Sequence, residues 1–187
     1  MAELRIVAGE WRGRRIKVPS GGVRPTADRV REAWMSIVRP EIDGARVLDL
    51  CAGTGALGLE ALSRGAAHCD FVEQDAAVLK VLKENIAALG AEGRATIHKV
   101  EAMAFLEGAG PFTFHLPPST FGLSFADPPY HEGLSEKLAA RWLRAPFATI
   151  FGVEHEATTT LPRAGEGQQA DRRAYGDTAI TIYRSRD

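Results

Sequence analysis

Residues 47–58 read VLDLCAGTGALG, an apolar run that breaks into glycines at positions 53, 55 and 58. The run is a short buried strand by its pattern, and the next segment, from Ala56 to Arg64, is helical. Glycine at such a handover lets the backbone turn tightly and come close to a ligand, whose polar groups then meet the helix N-terminus. The spacing is G-x-G-x-x-G, and Glu73 ends the next apolar run about 20 residues on, where an acid holds ribose hydroxyls. An adenosine-bearing cofactor is the expected ligand. The plain alternative is that the glycines only permit close helix–strand packing.

The rhythm continues on both sides of this loop. Strands are expected at 46–50, 70–73, 95–100, 121–126 and 149–154, with helices at 56–64, 76–89, 101–107 and 134–143 between them. Such alternation implies βαβ units and a mostly parallel sheet with helices on both faces. Two further runs, 172–175 and 178–184, are joined by Gly176-Asp177 as an antiparallel hairpin. Ahead of the core, runs 5–8 and 15–18 suggest a small hairpin, and Thr26 is placed to cap a helix that ends at Pro40. The expected architecture is thus an α/β fold with a seven-stranded sheet, a basic hairpin-and-helix extension over residues 1–40, and one compact unit over 41–187. With 187 residues, 45% of them hydrophobic, the chain can bury a full core without staples.

Nicotinamide dehydrogenases and S-adenosylmethionine methyltransferases share this layout, and Asp49 separates them. A carboxylate beside the glycine turn repels a pyrophosphate but suits a ligand carrying an ammonium and a sulfonium. Its other reading is a cap or turn residue.

Asp127-Pro128-Pro129-Tyr130 comes directly after the run 121–126. Two prolines fix the backbone so that the Asp127 carboxylate and the Pro128 carbonyl can act together as acceptors. Two acceptors aimed at an exocyclic amino group orient its nitrogen and favour the positive charge that grows as it attacks a methyl. Tyr130 offers a flat face for the base. A plain Pro-Pro turn with an Asp cap is the alternative.

The segments GEWRGRRIK (9–17), RPTADRVREA (24–33), VLDLCAGTGALGLEALSRG (47–65), Val72-Glu73, the DPPY tetrad and Tyr175-Gly176-Asp177-Thr178 resemble, nearly end to end, the bacterial small-subunit ribosomal RNA guanine-N2 methyltransferases of the RsmD type. That family lies within the S-adenosylmethionine-dependent class I methyltransferases, so the resemblance implies a Rossmann-like fold and methylation of a guanine in 16S rRNA. By the same resemblance, Asp49, Ala52, Gly53, Thr54 and Gly55 would lie at the methionine part of the cofactor and Glu73 at its ribose. Gln74, Glu101 and Ala102 would complete that site, and Thr26 and Arg29 lie in the segment leading into it. The tetrad would hold the guanine. The chain departs from the pattern at Cys51, usually phenylalanine, at Trp34-Met35-Ser36, at Glu101, usually a shorter Asp, and in a longer loop over 108–120 with Gly122 just beyond it.

Charge is uneven. Net charge is -1, yet residues 1–31 hold eight Lys and Arg against three acids. Arg12, Arg14, Arg15 and Lys17, with His131 beside the tetrad, are candidate RNA contacts, though a solvated hairpin face is the bland reading. Trp11 could stack on a nucleotide or pack the hairpin, and Glu154 ends a buried strand in a structural role beside the closing hairpin. The five histidines and two cysteines show no ligand spacing, so no metal site is expected. Glu3 and Arg5 interrupt what a signal peptide would need, and no apolar run is long enough to span a membrane, so a cytoplasmic location is expected. The expected partner is small-subunit rRNA within the assembled or assembling particle. Competing functions are adenine-N6 methylation by the same tetrad, a non-catalytic RNA-binding or assembly factor, and a nicotinamide oxidoreductase resting on the glycine pattern alone.

Overall fold

The computed structural model describes residues 2–18, 25–108, 120–130 and 133–185, with backbone alone for 25–28. Its centre is a seven-stranded sheet in the order β5-β4-β3-β6-β7-β9-β8. These strands are β3 (Arg46–Asp49), β4 (His68–Glu73), β5 (Ala95–Lys99), β6 (Phe121–Ala126), β7 (Ala148–Glu156), β8 (Gln168–Tyr175) and β9 (Thr178–Ser185). The first five run parallel, and β9 pairs antiparallel with both β7 and β8. The central strands are apolar along their length because helices cover both faces: Val47, Leu48 and Leu50 are all buried.

Helices α2 (Ala56–Ser63), α3 (Ala76–Leu89), α4 (Ala102–Leu106) and α5 (Leu134–Arg144) make the crossovers, while α1 (Pro25–Ile37) precedes the core. The ends of α3 arise from local chemistry. Asp75 accepts the Ala77 and Val78 N–H groups at 2.7 and 3.0 Å, and Gly90 stops the helix in a left-handed conformation. Trp34 of α1 lies edge-on to Phe125 at 5.2 Å and fills the space over Gly152, where an added Cβ would come within 2.0 Å of the indole. The absence of a side chain at 152 is therefore what lets α1 close on β7 and β9.

Two expectations for the N-terminal extension need correction. The first strand, β1, is Ala2–Arg5 rather than 5–8, and it pairs with β2 (Arg15–Val18) with Arg5 opposite Arg15. Residues 7 and 8 leave the ladder because the buried Glu60 carboxylate takes their N–H groups at 2.9 and 3.1 Å. Thr26 lies inside a helix rather than ahead of it, since α1 is described from Pro25, and proline is tolerated in a first turn, where its missing N–H costs nothing. The extension packs on the core: Ile6, Trp11, Ile16 and Val18 join the same buried cluster as Val47 and Leu59. β7 and β8 are longer than expected, and β8 is exposed along most of its length, so no apolar alternation marks its start.

Candidate active site

The order of strands reverses at β3, which has β4 on one side and β6 on the other. Ligands of open α/β sheets sit at the carboxyl ends of such strands, and both sequence motifs leave the sheet there. Asp49 lies opposite Phe125 in the register, and the Leu50 N–H donates to the Phe125 carbonyl at 2.9 Å. The glycine turn and the DPPY tetrad are neighbours.

The turn is pinned from three sides. Ala52 N–H donates to the Val72 carbonyl at 3.0 Å, Gly53 N–H to Glu73 Oε2 at 3.0 Å, and Asn85 Nδ2 to the Thr54 carbonyl at 2.9 Å. Gly53 and Gly55 both have positive φ, +54° and +88°. A Cβ on Gly53 would meet nothing within 4 Å, so the backbone there faces open space, whereas one on Gly55 would strike Leu82. Gly58 serves packing: its missing Cβ would lie 2.3 Å from the Phe71 ring.

Asp49 is almost fully buried. Its Oδ2 accepts the Gly58 N–H at 3.0 Å and Oδ1 has no partner. The cap reading holds for one oxygen, which takes an N–H of the first turn of α2, and the other oxygen is unpartnered. Burial raises its pKa to about 7 against the pull of the Gly58 N–H, and the Glu73 charge adds to the rise. Glu73 itself spans the loop, with Oε1 accepting the Asp75 N–H at 2.8 Å. Glu101 caps α4 through the Met103 and Ala104 N–H groups at 3.0 and 2.8 Å. Ala102 behind it is buried, and Gln74 is exposed.

Asp127 stands exposed at the end of β6, Pro128 is buried behind it, and Pro129 is again exposed. Dense protein around the cleft pushes its pKa well up, helped by the charges of Glu154 and Asp49, while the open face to solvent moderates that push. Tyr130 is held by its hydroxyl, 2.8 Å from Glu154 Oε1 and 2.9 Å from Thr178 Oγ1. Glu154, read from the sequence as a strand end in a structural role beside the closing hairpin, does pair with β9 and also reaches the tetrad. The thiol of Cys51 is held protonated by burial and by the surrounding Asp49, Asp127, Glu73 and Glu101. So many carboxylates at one mouth suit a cationic ligand and oppose a pyrophosphate.

The basic candidates have their own contacts. Arg14 donates to the Ala88 carbonyl, Arg15 pairs with Glu3 at 2.8 Å and Lys17 with Glu84 at 2.8 Å, while Arg12 and Arg29 are exposed. Trp11 is buried under the Arg94 guanidinium, 4.8 Å from its ring, and packs rather than stacks on a nucleotide. Arg24, His115 and His131 fall outside the described residues, as does the side chain of Thr26. A wide depression of about 710 Å³ lies elsewhere, between Ile37 and the β8–β9 hairpin. Two of its arginines are paired, Arg173 with Asp171 and Arg184 with Glu41, and the chemistry favours the carboxylate mouth instead. Among the described residues no cluster of His, Cys, Asp and Glu has the makings of a metal site, and no helix is long and apolar enough to cross a membrane.

A sheet of this order, with a glycine turn after its central strand and an Asp-Pro-Pro-Tyr turn after the next, defines a class I methyltransferase fold. The family described as Conserved hypothetical protein 95 matches residues 4–184, and ribosomal RNA small subunit methyltransferase D of Escherichia coli is 40% identical over 97% of this chain and 89% of its own. The chain belongs to that family, the RsmD family. The protein of the same name from Haemophilus influenzae is 37% identical over 85% of this chain and 82% of its own. Among solved structures, the Escherichia coli methyltransferase yhhF superposes with a TM-score of 0.82 at 33% identity, covering 100% of this chain and 99% of that one.

Proposed function

We propose that this protein transfers a methyl group from S-adenosylmethionine to the exocyclic N2 amino group of a guanine in small-subunit ribosomal RNA. The observation that carries the reading is Asp127-Pro128-Pro129-Tyr130 at the end of β6, next to the glycine turn. The cofactor fits on this chain's own terms: a buried carboxylate oxygen without a partner at Asp49, an open cradle at Gly53 and a mouth lined by the carboxyl groups of Asp49, Glu73, Glu101 and Asp127. Asp49 and the turn 52–55 would hold its ammonium end, Glu73 and Gln74 its ribose, and Glu101 and Ala102 its adenine. When bound, it supplies an electrophilic methyl on a sulfonium.

The remaining chemistry belongs to the protein. Pro128 and Pro129 bring carbonyls but no N–H, so with the Asp127 carboxylate the turn presents acceptors to an amino group that has two donors. That pairing aims the nitrogen and stabilises the charge it gains. Tyr130 backs the base plane. The anionic mouth repels phosphates, so the RNA backbone is held by the basic arm of Arg12, Arg14, Arg15 and Lys17. Its exposed ion pairs are worth at most about 1 kcal/mol each and exchange readily for phosphate contacts.

The test is to incubate the protein with labelled cofactor and undermethylated small subunits, digest the RNA and identify the nucleoside. N2-methylguanosine is the expected product. N6-methyladenosine would move the activity to adenine, and RNA binding without label would make the protein a non-catalytic factor.

Cofactor binding should also release protons. A cation beside Asp49 favours its carboxylate, lowering a pKa that stands at about 7 in the free protein. At pH 7 about half a proton per site should leave on binding. Titration calorimetry in buffers of different ionisation enthalpy measures it, and Asp49→Asn should abolish the release. Equal heats in all buffers for the unaltered protein would contradict the placement of the ammonium.

A further inference from the structure

The Tyr-Gly-Asp-Thr turn between β8 and β9 is remote in sequence from both site motifs, yet the fold brings it to the tetrad. β9 begins at Thr178, directly after Gly176 makes the turn at φ +64°, and Thr178 lies opposite Glu156 on β7. Glu154, two residues back along β7, shares that face of the sheet. From these two strands a carboxylate and a hydroxyl converge on one phenol: Tyr130 Oη donates to Glu154 Oε1 at 2.8 Å and shares a hydrogen bond with Thr178 Oγ1 at 2.9 Å. We infer that Glu154 and Thr178 are positioning residues that fix the plane of the Tyr130 ring before the target base arrives, so that the closing hairpin completes the base-binding half of the site.

Three features favour this over an ordinary buried tyrosine contact. Tyr130 is only partly buried, so its ring borders the cleft while its hydroxyl alone is tied down. Pro128 and Pro129 fix the backbone that leads into it, and the two bonds remove side-chain torsional freedom. The site also keeps a carboxylate close to Asp127, where like charge is unfavourable, and Glu154 is held there partly by the Tyr130 hydroxyl. A ring fixed in advance spares the RNA the entropy of ordering it, which is gained as affinity for an extruded base.

The inference rests on the proposed base-methylating function, and the experiment separates the two. RNA affinity is measured without cofactor, and single-turnover rates with it, for Thr178→Val, Thr178→Ser, Glu154→Met, Glu154→Gln and Tyr130→Phe. Thr178→Val should weaken RNA binding about 2- to 10-fold and Glu154→Met about 10-fold or more, these being the ordinary values of a neutral and a charged hydrogen bond. The rate at saturating RNA should change less than about 3-fold in Thr178→Val, because the chemistry lies at Asp127. Thr178→Ser and Glu154→Gln, which keep the oxygen, should recover most of the affinity. Tyr130→Phe combined with Thr178→Val should be no worse than Tyr130→Phe alone, since both remove one bond. Additive losses, or RNA affinity unchanged in Thr178→Val and Tyr130→Phe, would overturn the positioning role. Thr178→Val keeps the shape of threonine and decides the matter even if Glu154→Met does not fold. Full methylation of RNA by Asp127→Ala would instead overturn the function on which the inference depends.

Discussion

Asp127→Ala is expected to lower the rate of methyl transfer about 100- to 1000-fold while cofactor affinity stays within a few-fold, the usual cost of removing one preorganised partner of developing charge. The guanine amino nitrogen is a poor nucleophile because its lone pair is drawn into the ring. It becomes positive as the new bond forms, so a fixed carboxylate is worth more in the transition state than in the ground state. Asp127 is free to do this, standing exposed at the strand end with Pro128 locking the backbone behind it. Asp127→Asn keeps an acceptor oxygen without the charge and should fall between the two. The rate should also decline as pH falls, and the decline should begin above the ordinary carboxylate range. The packing of the cleft and the charges of Glu154 and Asp49 favour the neutral form, and protonation removes the group that stabilises the cation. Single-turnover rates on small-subunit RNA that match the unaltered protein in both variants would refute the role.

The chemistry legible in the sequence was chemistry that acts within a few residues. Positive φ at Gly53 and Gly55, the Asp75 cap and the Gly90 stop are local requirements, and each left its residue type at the expected place. The two site motifs were legible for the same reason, and parallel pairing then set them side by side. Features decided by distant partners were not legible. Glu154 looked like the end of a strand because its partner, Tyr130, lies 24 residues earlier across the sheet. Trp11, among arginines in the sequence, left stacking on a nucleotide and packing the hairpin equally open, and the choice was made by Arg94, which arrives from the turn before β5 and covers its ring. The start of β8 had no signal because an exposed edge strand buries no alternate face.

The same distance effect underlies the misplaced first strand, and it yields the largest expected loss of stability. Glu60 sits in the middle of α2 with no exposure, in a helix that is otherwise apolar or small. Its two oxygens accept Val7 N–H at 2.9 Å and Ala8 N–H at 3.1 Å, and Arg64 Nε approaches at 2.8 Å from the next turn. The arm in turn satisfies the helix end: Glu10 N–H donates to the Ser63 carbonyl at 2.7 Å, and Ser63 Oγ accepts the Trp11 N–H at 3.0 Å. Gly9 passes so close that a Cβ there would overlap the Ser63 carbonyl oxygen. Glu60→Ala strands two backbone donors and leaves Arg64 without its partner. Losing one side of a buried pair of this kind costs about 3–5 kcal/mol, which for a chain of this size lowers Tm by roughly 10 °C. Glu60→Gln should be nearly as harmful, because its amide N–H₂ would face one of the two backbone donors. The loss should be felt first at the arm, with hydrogen exchange at Val7 and Ala8 accelerating more than in β3. RNA affinity should fall with it, and cofactor binding should fall less, because the arm reaches the glycine turn only through Asn85, which bonds the Lys17 backbone and the Thr54 carbonyl. A Tm within about 2 °C of the unaltered protein, with Val7 and Ala8 still protected, would mean that apolar packing of Ile6, Trp11 and Ile16 holds the arm without help from Glu60.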